Sequence, residues 1–376
     1  MATTSPSAEP DLKSPPPELD PSIYGVLGRL GLWVTDHRKV TAAIWVLLVV
    51  GLGIFAPRVE AELSGAGWQA DGSESVSVRE LATEHFGGNA SSAIQVVVQD
   101  PSGDVTTGSG AEILAEATAM LEADERVGDV LQPQPGVSIS QDGSTAVLLA
   151  GAGADTNETV RVADERKADL EGLSRDGVQV NPTGASLLWS DFNEANLDAM
   201  LKSEMVSWPV TLAILVLAFG ALVAAGLPLI LTLAGLVASA GSLVLINNLV
   251  PVSIWAMNFA MMFALALGID YALFLVARFR AARLGSHEDA RQAVAETMDT
   301  AGKAVFLSGL TVLISLSAVM LVPSPSFRSM AGGIMLAVVF VLAATLTLLP
   351  VVLSALDERV NWGSLPWVHT GEHRSA

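Results

Sequence analysis

The chain alternates between two hydrophobic patterns. Six stretches are almost wholly apolar over about 20 residues, long enough to cross a bilayer as helices: 40–56, 206–225, 229–249, 254–280, 304–322 and 330–353. Between the first and second of these the period shortens. Residues 75–85 have helical spacing, closed by Gly87 and Gly88. Residues 93–99 (AIQVVVQ), 126–131, 145–150 (TAVLLA) and 177–181 (GVQVN) read as strands, while 110–123 and 158–173 read as helices. The order is β-α-β-β-α-β, a ferredoxin-like split unit. The predicted fold class is therefore an α-helical polytopic membrane protein with six transmembrane helices. It carries an α+β ferredoxin-like domain between helices 1 and 2.

The connecting pieces fill in the plan. Residues 1–22 are rich in Pro, Ser and acid and read as a disordered tail. No basic region precedes a cleavable apolar core, so no signal peptide is expected. Ile23, Leu27, Leu30 and Val34 share one face of a short interfacial helix, with Tyr24 and Trp33 at headgroup level. Residues 185–202 are expected to run straight into helix 2, and Gly226 and Pro228 to turn the chain towards helix 3. Asn247, Asn248 and Pro251 are expected to end helix 3. Ser286 to Asp289 read as a capping box, opening a surface helix to about 302 with Ala290, Val294 and Met298 on one face. The divisions are a tail at 1–22, the interfacial helix and helix 1 at 23–57, the α+β domain at 58–204, helices 2–6 at 205–355, and a tail at 356–376.

Charge sets the orientation. His37, Arg38 and Lys39 precede the first apolar run, and Arg278, Arg280, Arg283, Arg291 and Lys303 cluster from the end of the fourth to the start of the fifth. The positive-inside rule places both termini and that cluster in the cytoplasm of a plasma (inner) membrane, and the α+β domain outside. The net charge is −19, and residues 60–204 hold about 26 acids against 7 bases, nearly all of the excess. Such a chain does not bind nucleic acid by electrostatics. It has no cysteine, and His85 stands alone in its block, so no metal or cofactor set is expected.

The candidate chemistry lies in the fourth run, IWAMNFAMMFALALGIDYALFLVARFR. Asp270 sits some 24 Å along this helix from Ile254. A carboxylate at the centre of a membrane helix costs roughly 2.5–3.5 kcal/mol on insertion scales, so it marks a functional site. Tyr271 is next to it, and the two side chains leave the helix about 100° apart, each addressing a different neighbour. Ala304, Ser308, Thr311 and Ser315 form a small, polar stripe on the fifth helix. Lys303 is a possible charge partner for Asp270, or snorkels to the interface. An intramembrane aspartyl protease needs two carboxylates sharing a water; Asp270 alone does not make one, and no enzymatic activity is expected.

GIDYALFLVARFR resembles the Asp-Tyr signature of the MMPL family, the mycobacterial-membrane-protein-large type of the resistance–nodulation–division (RND) transporters. The resemblance implies that Asp270 and Tyr271 belong to a proton relay, with hydroxyls of TAGKAVFLSGLTVLISL beside them. It implies that the α+β block is a porter domain, and that the activity is export of lipidic or amphiphilic substrates driven by the proton-motive force. Family members usually carry two such halves, twelve helices in all. This chain matches the N-terminal half and holds no second Asp-Tyr helix. It either pairs with a second copy or a partner half, or is a truncation. The alternative is a non-transporting sensor or assembly factor on the same scaffold.

Overall fold

A computed structural model describes residues 21–59, 63, 70, 72–86, 93–101, 103–250, 252–286 and 289–364. Six helices are long and apolar enough to cross a membrane: Arg38–Arg58, Ala185–Phe219, Leu222–Asn247, Ile254–Arg283, Ala290–Val319 and Pro325–Asn361. The chain is a multi-pass membrane protein. The glycines at 87 and 88, Pro251 and most of both expected tails lie outside the described residues.

The N-terminal helix α1 (Val26–Asp36) leads through a break at His37 into the first span, α2 (Arg38–Gly53). After α3 (Glu74–Phe86) come β1 (Ile94–Gln99), α4 (Gly108–Glu122), β2 (Val127–Leu131), β3 (Thr145–Ala152), α5 (Thr156–Glu171) and β4 (Gln179–Thr183). The four strands form one antiparallel sheet in the order β2-β3-β1-β4. Alternation drives it. Ile94, Val96 and Val98 of β1 are fully buried, and Val96 pairs with Leu148 and Pro182 on its two sides. These residues meet Ile113, Ala117 and Leu121 of α4 and Val162, Ala163 and Leu170 of α5 in one core.

The second span is α6 (Ala185–Phe219), a single 35-residue helix that starts in the core of the α+β domain at Leu187 and contains Pro209. At 1.5 Å per residue it is about 50 Å long. The turn to α7 (Leu222–Asn247) falls at Gly220, which is left-handed with φ 66°, and not at Gly226 and Pro228 as the sequence suggested. Both of those residues lie inside α7. The reason is a glycine C-cap just past Phe219, whereas a proline within a membrane helix is tolerated.

The fourth span is α8 (Ile254–Ser286). It packs between α7 and α11 (Pro325–Ala343), and these three make the centre of the bundle. The next helix does not open at Ser286 as expected, since α8 runs on to that residue. Helix α9 (Ala290–Thr297) starts after Asp289, with no side-chain cap bond. His287 and Glu288 lie outside the described residues. A π-helical turn at Met298–Gly302 joins α9 to α10 (Lys303–Val319), so the expected surface helix and the fifth span are one continuous rod. A second π turn, Ala344–Leu348, joins α11 to α12 (Leu349–Leu356).

The interfacial helix differs in its facing. Ile23 is 70% exposed. The side of α1 that meets protein carries Gly28, Gly31, Leu32, Val34 and Thr35, and it rests on α9 and the first π turn.

Candidate functional site

Asp270 and Tyr271 lie midway along α8 and part there, as their spacing requires. Tyr271 turns inward and is only 5% exposed, among the buried residues of the bundle. Its hydroxyl lies 3.4 Å from Ser308 Oγ on α10, a long contact that a small shift closes into a hydrogen bond. Asp270 is exposed, and among the described residues nothing pairs with its carboxylate. It shares its face with Met262, Ala266 and Phe274, also exposed, at successive four-residue steps.

The stripe on α10 divides in the same way. Ser308 meets Tyr271, while Thr311 donates to its own helix at Leu307 O (2.8 Å). Ala304, Ser308, Thr311 and Ser315 are all exposed on this chain. Only Val305 and Gly309 of α10 are buried, Gly309 because Leu342 of α11 lies against it. Lys303 does not pair with Asp270. Its ammonium is 2.9 Å from Asp299 Oδ1, one turn earlier, because the rod carries it towards the basic end of the bundle. A second bond ties α8 to this rod below the pair, Arg278 Nε donating to Thr300 Oγ1 (3.2 Å).

Several supporting residues escaped the sequence reading. A Cβ on Gly268 would come within 2.2 Å of Thr232 Oγ1, so the glycine of Gly-Ile-Asp-Tyr lets α7 and α8 touch. Gly241 serves α2 and α7 in the same way, since a Cβ there would meet Leu52 O at 2.0 Å. Trp45 donates to Thr347 Oγ1 in the second π turn (2.9 Å), tying the first span to the sixth. Arg280 donates to Phe219 O (2.6 Å) and Arg283 pairs with Asp357 (2.7 Å), fastening the end of α8 to the ends of the second and sixth spans. Only the basic cluster hinted at these last two. Among the described residues no cluster of His, Cys, Asp or Glu has metal-site geometry.

The arrangement is a carboxyl midway along a membrane span with a neighbouring hydroxyl pair, set in a helix whose C-terminal end is pinned. The model of the MMPL family matches residues 67–371. The chain belongs to the MMPL family. Relatives in that family are similar over most of this chain. A membrane protein of Streptomyces coelicolor, SCO6666, is 32% identical, covering 89% of this chain and 47% of its own length. The mycolic acid-containing lipids exporter MmpL11 of Mycolicibacterium smegmatis is 30% identical, covering 88% of this chain and 35% of its own. The MmpL11 of Mycobacterium tuberculosis, 29% identical, is named a heme uptake protein. This chain thus spans half or less of the relatives it matches. A crystal structure of SecDF covers 86% of this chain and 38% of its own at 14% identity, with a TM-score of 0.46.

Proposed function

We propose that the chain is one half of a proton-driven RND-type exporter of lipidic or amphiphilic cargo, in the plasma membrane with both termini cytoplasmic. The α+β block is then an extracytoplasmic porter domain. The observation that carries this reading is the division of the Asp-Tyr pair. Tyr271 lies against Ser308 of its own chain, while Asp270 stands on an uncovered face midway along α8. A lone carboxylate facing lipid is costly. A second copy or a partner half laid on that face would give it polar company. The uncovered Ser308, Thr311 and Ser315 of α10 suit the same covering. Family membership and the lipid-exporter name of one relative support the cargo class.

The test is Asp270→Asn in cells and in vesicles. Asn keeps the shape and cannot carry a proton, so insertion persists while proton-linked export of a labelled lipid stops. Unchanged export by the Asn variant would rule out coupling through this site.

A further inference from the structure

We propose that α1 is a lipid-binding element whose outer face takes the anionic headgroups of the leaflet in which the first span begins. This helix has two faces, and one is spent on protein. Gly28 and Gly31 lie so close to the α9–π rod that a Cβ would meet Asp299 Cβ at 3.1 Å and Met298 Cγ at 2.8 Å, respectively. Gly25 N donates to Asp299 Oδ1 (2.8 Å), and Arg291 grips both oxygens of Asp36 (2.7 and 2.8 Å). Helix α1 is therefore held with a fixed side turned outward.

That outer side has a definite chemistry. Val26, Arg29 and Trp33 fall at i, i+3 and i+7, on one face within about 60° of each other. Val26 is 73% and Trp33 52% exposed, and Arg29 is exposed between them. Arg38 and Lys39, also exposed, follow at the start of the first span. Among the described residues none of the three cations has an ion-pair partner. Asp36, the only acid of α1, is already taken by Arg291. An aromatic and an aliphatic side chain around an unpaired arginine, with two further cations at the start of a membrane span, is the composition that enters a headgroup layer. The cations select its charge, since each adds attraction to an anionic surface. The arginine stem lies along the apolar face while its guanidinium reaches a phosphate.

The test uses the whole chain, whose lack of cysteine permits one labelled site. Val26→Cys carries an environment-sensitive dye, and the protein is reconstituted in phosphatidylcholine with or without phosphatidylglycerol. The dye emits further to the blue in the anionic vesicles, and salt reverses the shift. Arg29→Gln weakens the response to anionic lipid roughly five-fold, the equivalent of one surface charge. Equal emission in the two lipids, or a shift that ignores both salt and Arg29→Gln, overturns the proposal. A shift that follows protein density instead of lipid charge also overturns it, and assigns the face to a second copy.

Discussion

At the scale of single residues, the Asp-Tyr pair shows how adjacency in sequence becomes separation in space. Tyr271 turns into the bundle with its hydroxyl towards Ser308 at the edge of α10, and Asp270 faces outward. Tyr271→Phe removes the hydroxyl and keeps the ring, so the fold stands. If the relay runs through Ser308, export slows several-fold, read as cargo flux at fixed proton gradient. Unaltered flux would remove the Tyr271–Ser308 contact from the mechanism. A second residue-scale case lies in the α+β domain. Asp124 bonds Arg126 (2.9 Å) and Arg166 (3.0 Å), and Arg126 also holds Glu165 (2.7 Å). The hydrogen bond from Arg126 holds the Asp124 carboxyl well below its usual range. A depressed folded-state value stabilises the domain above the ordinary carboxylate range, near pH 4, and that contribution fades as the pH falls further. Asp124→Asn should cost about 1–3 kcal/mol at neutral pH and flatten the acid limb of urea unfolding followed in the reconstituted chain. An acid limb as steep as in the parent would acquit this network. The many acids of the block suggested a solvated face. What their count did not reveal is that several are paired across elements, because pairing depends on which side chains the sheet brings together.

At the scale of elements, the strands were legible because alternation in residues such as Ile94, Val96 and Val98 has one physical meaning, a half-buried sheet. The spans were legible from length and apolarity alone. Their ends were not. The Gly220 cap competed with Gly226 and Pro228 for the turn, and a proline signal that breaks helices in water is weaker in a membrane. The π turns had no signature at all, since one extra residue per turn changes no composition. Nor did the residues that fix helix distances announce themselves. Gly268 and Gly241 look like any other small residue until the neighbouring helix is in place. Gly268→Ala would put a methyl group against Thr232 Oγ1, and α7 and α8 must move apart. The expected result is a loss of thermal stability in detergent of about 1–3 kcal/mol, the range of overpacked cores. Gly226→Ala, where a Cβ meets nothing within 4 Å, should be neutral in the same melt. Equal melting of both variants would mean the close approach at Gly268 is relaxed at no cost.

At the scale of the whole molecule, the bundle is uneven. Helices α7 and α11 are well covered by their neighbours, whereas α2, α6 and α10 are bare over most of their surface. The bare helices include the one that carries Ser308. Paired halves would bring the uncovered faces of α8 together, and cysteines at Ala266 and Phe274 should then cross-link chain to chain in native membranes. Absence of cross-linking in membranes that still export would rule out a symmetric pair joined through this face. Orientation is open to the same chemistry. A cysteine at Val137, 81% exposed in the α+β domain, should react with an impermeant thiol reagent added outside, and one at Ala281 only after the membrane is opened. The long helix α6 gives the molecule one further property. It is a beam, built into the domain core at Leu187 and ending at the Gly220 turn. Pro209 has no N–H to offer the carbonyl of Met205, so the beam is notched there, about two-thirds of the way along. A beam with one notch does not spread a load evenly. If the domain tilts, the beam should bend first between Met205 and Pro209, where a backbone hydrogen bond is missing.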